Sequence, residues 1–193
     1  MDEQPLSVTV VRRDDLMRCG RWREAFVQHR KDWRFYELVE DTIRQGFDYR
    51  YFAVADANGV VRAVQPFLIV DQDLLAGAPS GVTKLATAMR RQWPYFMRAR
   101  TLMVGCAVGE GHLDGADEAA WRVNVRALAR ALPTHARDLG VRLIVFKEFP
   151  AIYRAALQVL STEGFARIPK RARQHRGAIQ PIHRVVWYAS MLG

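Results

Sequence analysis

Short apolar runs with period-two alternation and longer stretches with apolar residues every three or four positions succeed one another along this chain. Leu6 to Val11 is a strand candidate, rich in β-branched residues. Asp14 and Asp15 then offer an N-cap and a negative first turn for a helix running to about Arg30, with Leu16, Cys19, Trp22, Phe26 and His29 on one apolar face. A second helix is predicted from Trp33 to Gln45, with Phe35, Leu38, Val39 and Thr42 inward and Gly46 as its stop. Tyr49 to Ala55 and Val60 to Val70 read as two strands joined at Asn58-Gly59. That dipeptide predicts a hairpin with a type I′ turn. Pro66 removes one ladder donor from the second strand, which predicts a bulge or an edge position there.

From Gly77 to Arg100 the pattern changes to a loop and a basic, aromatic helical insertion. Its aromatics and arginines either pack as an amphipathic helix or offer stacking faces beside cations. A strand from Thr101 to Gly105 follows, then the loop CAVGEGHLDG. After it come a long helix with Trp121, Val125, Leu128, Leu132 and Leu139 inward, a continuous apolar strand from Val141 to Phe146, a helix over 151–163, and a last short strand over 165–168. Pro133 is expected to kink or split the long helix. Pro150 is expected in the first turn of the last one.

At 193 residues the chain suits one domain with a real core. No apolar run reaches the roughly 18–20 residues of a membrane span, and the acidic N-terminus lacks a secretory signal. Its two cysteines, Cys19 and Cys106, imply neither a disulfide framework nor a metal site, and the reading is cytoplasmic. The net charge of +9 is concentrated at the end, where residues 170–193 carry five basic residues and no acidic ones. The domain is expected over 1–169. The basic tail over 170–193 is either a solvated, disordered end or a surface for RNA and other anions.

A strand that delivers the chain to a glycine-spaced turn at a helix N-terminus can hold a phosphate, because backbone N–H groups converge there. The run Cys106-Ala107-Val108-Gly109-Glu110-Gly111 is the candidate. Around it, His112 is a general-base candidate near neutral pH or a solvent-exposed loop residue. Glu110 either deprotonates an incoming amine or, with Asp114 and Asp117, favours the positive end of the following helix. Glu148 closes a central strand where ligands of open sheets lie, or is a helix-start carboxylate beside Pro150. Cys106 could form an acyl-enzyme, or is a small packing residue.

The order of elements resembles the GNAT acetyltransferase superfamily. The segments YFAVADANGVVRAVQPFLI, VGCAVGEG and LIVFKEFPAIYRAALQVLSTEGF are most similar to the N-terminal lobe of Fem-type peptidyl transferases and their two-lobed bacterial relatives. The resemblance covers about Leu6 to Pro169. It implies an α/β fold, a mixed central sheet flanked by helices with a helical insertion before the central strand. It also implies acyl-CoA as co-substrate, lying where two strands splay, with its pyrophosphate on an Arg/Gln-x-x-Gly-x-Gly/Ala loop. On this reading Met103 or Val104 polarises the thioester through a main-chain N–H, and Cys106, Gly109 and Gly111 occupy the loop. Cys106 stands where the family has Arg or Gln, and Leu160 where many members have an acidic tyrosine; Tyr153 is expected to pack. The implied activity is acyl transfer to the amine of a small molecule or peptide. The alternatives are a lobe using charged tRNA, a non-catalytic module, or a truncated product whose tail over 170–193 is not native to the family; a lone lobe could instead pair with a second copy and recover the cleft as a homodimer.

Overall fold

The computed structural model of the chain describes residues 6–73, 75, 79–94, 96–169 and 185–190. Seven strands form one sheet: β1 (Ser7–Val11), β2 (Phe47–Ala55), β3 (Val61–Asp73), β4 (Arg98–Val104), β5 (Leu143–Phe149), β6 (Ala166–Pro169) and β7 (Val185–Ser190), in the order β1-β2-β3-β4-β5-β7-β6. Only β4 and β5 run parallel; every other neighbouring pair is antiparallel. The long helix α5 (Glu118–Asp138) crosses between that parallel pair. The mixed α/β sheet expected from the sequence is therefore present. Residues 185–190, expected within a tail, form β7 between β5 and β6, and the rest of that tail, 170–184 and 191–193, lies outside the described residues. Among the described residues no helix is long and apolar enough to cross a membrane.

Both faces of the sheet are covered because β2 and β3 bury residues of both parities. Phe52, Phe67 and Leu102 face α5 through Val125, Leu128 and Leu132. Tyr51, Val64 and Cys106 face the other side, against α1 (Arg13–Leu16), α2 (Gly20–Glu24) and α3 (Trp33–Thr42). Trp22 is fully buried there, its ring edge-on to Tyr51 at 5.0 Å.

Several local expectations need correction. The single helix expected over 14–30 is two short ones: an extended Cys19 (φ −95°, ψ 112°) separates them, and beyond the second the chain turns at Phe26, which takes φ 62°. Its ring sits 5.0 Å from Tyr36, so packing holds a backbone conformation that residue type disfavours. On α3 the buried residues are Tyr36 and Val39, while Leu38 is 59% exposed. At Asn58-Gly59 only Gly59 has positive φ, so the turn is not type I′. Gly59 N–H donates to the Asp56 carbonyl and the Asp56 carboxylate accepts from Asn58 and Val60, giving a three-residue loop with a glycine bulge.

Pro66 lies in a central strand in register with Tyr51, neither at an edge nor in a bulge. Its missing N–H faces the place where β4 ends, so only one terminal ladder bond is forgone. Helix α5 continues through Pro133. Between β3 and β4 the insertion forms α4 (Ser80–Arg90), tied back by Arg90 to Asp73 at 2.7 Å. The helix expected over 151–163 is α6 (Arg154–Leu157) flanked by 3-10 turns, with Pro150 capping the first.

Leu132→Ala is expected to lower unfolding free energy by about 2–5 kcal/mol. Leu38→Ala should change it by less than about 0.5 kcal/mol. Urea denaturation of both variants checks which face of each helix is buried.

Candidate functional site

The site lies where β4 and β5 part. Their ladder runs from Thr101–Leu143 to Val104–Phe146 and then ends. Gly105 has φ 126° and donates its N–H to the Pro66 carbonyl at 3.0 Å; a Cβ there would lie 3.1 Å from the Lys147 carbonyl. The chain then folds back as a loop over 105–117 and fills the gap. Gly111 N–H donates to the Glu148 carbonyl at 3.1 Å, and a Cβ on Gly111 would come within 2.8 Å of the Gly105 Cα. Only glycine permits that approach. Glu148 takes φ 54° inside an irregularity of β5 between Phe146 and Phe149, which turns its carbonyl toward the loop.

On the other side the loop lines the edge of β3 that β4 has left. Val64 N–H donates to the Asp114 carboxylate at 2.9 Å, and the Gln65 side chain donates to the His112 carbonyl at 3.1 Å. Asp114 is 4% exposed and receives a two-pronged hydrogen bond from the Arg21 guanidinium. Burial raises its carboxyl above the usual range, while the Val64 amide and Arg21 pull it back.

The glycine turn and the helix N-terminus, expected together, are separate. Gly111 precedes α5 by seven residues, and the first turn of α5 is capped by Asp117, which accepts from Ala120 N–H at 2.8 Å. The turn around Gly109 (φ 70°) is held by its carbonyls on a lysine. Val108 and Glu110 carbonyls accept from Lys31 Nζ at 2.7 and 2.9 Å. Met103 and Val104 are ladder residues between β3 and β5, and Cys106 is buried beside α2 and α3, its thiol pushed up by burial. Leu160 is fully buried in the core.

His112 meets two residues from distant parts of the chain. Its ring stacks on His29 at 4.2 Å between centroids. The Tyr153 hydroxyl lies between them, 3.2 Å from His112 Nδ1 and 3.1 Å from His29 Nε2. A phenol carries one proton, so it donates to one imidazole and accepts from the other. Tyr153 is fully buried, and burial pushes its hydroxyl up to about 12. Burial is also the largest cause lowering both imidazoles; His112 falls to about 4, with His29 and Lys31 adding to the effect. At neutral pH the three groups form an uncharged chain of hydrogen bonds that can pass a proton without moving a heavy atom. The charge of Asp114 favours a proton on His29.

Sequence reasoning singled out His112 but not His29, Tyr153, Asp114 or Lys31 as a group. His29 is separated from Tyr153 by 124 positions, and no spacing rule joins them. Glu110 and Glu148 flank the loop through their carbonyls, at Lys31 and at Gly111.

No protein-family model matches this sequence, and comparison with curated proteins finds no significant match. Among solved structures, a GNAT-family acetyltransferase from Staphylococcus aureus is similar with a TM-score of 0.50 and 8% identity, covering 96% of this chain and 99% of that one. A spermidine N-acetyltransferase from Vibrio cholerae, in complex with CoA and spermine, matches with a TM-score of 0.48 and 12% identity over 97% and 96% of the two chains. This chain has the fold of the GNAT acetyltransferases.

The lowered His112 gives a signed pH dependence. The unfolded chain takes up a proton near pH 6.5, the folded chain only near 4, so this contribution is complete above 6.5 and lost as pH falls to 4. Allowing for partial solvent screening, about 1–2 kcal/mol of stability should disappear across that window. His112→Gln should flatten the slope in denaturation measured at stepped pH.

Proposed function

We propose that this protein is an N-acyltransferase, moving an acyl group from an acyl-CoA to the amine of a small molecule or peptide. The observation carrying this reading is the His112–Tyr153–His29 chain placed beside the diverging ends of a parallel strand pair in a GNAT fold. An amine attacking a thioester must lose a proton, and a neutral imidazole is the group to take it. Taken up at His112 Nε2, that proton displaces the one on Nδ1 toward Tyr153 Oη, and the phenol proton moves to His29 Nε2. Asp114 favours the charge that arrives there.

The acyl donor supplies the activated carbonyl, and its fit rests on the groups that now close the gap. One amide, Gly111 N–H, and one ammonium, Lys31 Nζ, hold the loop against Glu148 and against carbonyls 108 and 110. Both are anion-binding donors satisfied internally while the gap is closed. Admitting a pyrophosphate exchanges those contacts for contacts to phosphate oxygens. A second reading, a module that binds no donor, is favoured by the same closure and by Leu160, which cannot protonate a leaving thiolate.

Calorimetry with acetyl-CoA separates the two: saturable binding, weakened by salt, is expected, and no binding at millimolar ligand leaves the non-catalytic module. Given binding, Tyr153→Phe and His112→Gln should each lower kcat by about 100-fold with donor affinity unchanged.

A further inference from the structure

Two phenols outside the proton chain are anomalous. Tyr36 on α3 and Tyr49 on β2 bury their hydroxyl oxygens, and neither has a hydrogen-bond partner among the described residues. Tyr36 is 4% exposed. The His112 amide lies on the side of its oxygen without closing a hydrogen bond, and the phenolic proton has no acceptor among the described residues. Buried donors are normally paired, so two unpaired ones on one wall mark a place for an acceptor beyond the described residues.

Both rings line a small pocket closed by Pro66, Phe67, Gly105 and Cys106. Cys106 lines the pocket too, but no hydrogen bond joins its sulfur to either phenol. The pocket, at about 10 Å³, admits a single oxygen-sized group and no more. Tyr49 also lines an open groove of about 640 Å³ between the start of α1, the end of α3 and the start of β2. That volume suits a small organic molecule.

The charges choose among acceptors. Asp41 is held by Arg13 and Arg44, and Asp48 by Arg50. Glu40 accepts from the Tyr51 hydroxyl, and its charge helps raise both Tyr49 and Tyr51. A carboxylate entering beside Glu40 would be repelled, whereas a neutral carbonyl oxygen is not, and an ammonium nearby is attracted.

We propose that this pocket and groove bind an amine-bearing amide, its carbonyl oxygen accepting from the Tyr36 and Tyr49 hydroxyls and its ammonium lying against Glu40. As the acceptor class of the transfer above, the inference rests on that reading; as a binding site it does not.

Calorimetry with three probes of one length tests it: lysinamide, 1,5-diaminopentane, which lacks the carbonyl, and lysine, which carries a carboxylate. Lysinamide should bind about tenfold more tightly than diaminopentane, the gain expected of two neutral hydrogen bonds, and more tightly than lysine. In the Tyr36→Phe, Tyr49→Phe double variant the lysinamide advantage should vanish with Tm unchanged or raised, because no existing bond is lost. Equal affinity for lysinamide and diaminopentane would mean that the phenols hold only water and would overturn the proposal. Tighter lysine binding, or a Tm drop like that of a satisfied tyrosine, would overturn it too. Probe binding with this pattern but without acyl-CoA binding keeps the site and removes the transferase reading alone.

Discussion

The N–H of Val64 has to be satisfied in the middle of a sheet. Strand β4 stops pairing with β3 at Phe67–Val104, so the β3 edge beyond Pro66 faces the gap between β4 and β5 with its donors uncovered. A buried, unpaired amide costs about 1–3 kcal/mol. The chain meets this with a side chain: the Asp114 carboxylate takes the Val64 proton, and Arg21 balances the charge thus buried. A lone buried carboxylate would be worse than the problem it solves, so the pair is obligatory. Arg21 comes from α2, and the requirement therefore ties the helical face, the central sheet and the loop into one unit.

Most of the site follows from that tie. With Asp114 pinned at β3, the preceding residues are drawn across the gap, Gly111 reaches Glu148, and His112 is set against the segment that follows α2. His29 then stacks on His112, and Tyr153, at the start of the last helical segment, bridges a nitrogen of each ring with its hydroxyl. The proton chain is neutral because it is buried, and it is buried because the loop closes over it. The same closure occupies Lys31 with carbonyls 108 and 110.

The parts of this architecture legible in the sequence are those decided by local pattern. The β2–β3 hairpin, the apolar stripe of α5 and the apolar run of β5 each carry their own period, and the GNAT-like order follows. What escaped is set by partners far away in the chain. Phe26 has no local reason to take φ 62°; Trp22 and Tyr36 supply it. Gly109 and Gly111 announce backbone freedom, but spacing does not tell which side chain the loop carbonyls will meet. It is Lys31, 77 positions from Val108. Likewise Tyr153 reads as a packing residue until His29 and His112 are brought to its hydroxyl.

The dependence of the site on the Asp114–Val64 contact is read most directly by amide hydrogen exchange. In the native protein Val64 should exchange only through global unfolding, as the amides of β2 do. In Asp114→Ala it should exchange far faster than β2, with the His112 segment following it. A Val64 amide as protected in Asp114→Ala as in the native chain would contradict the account.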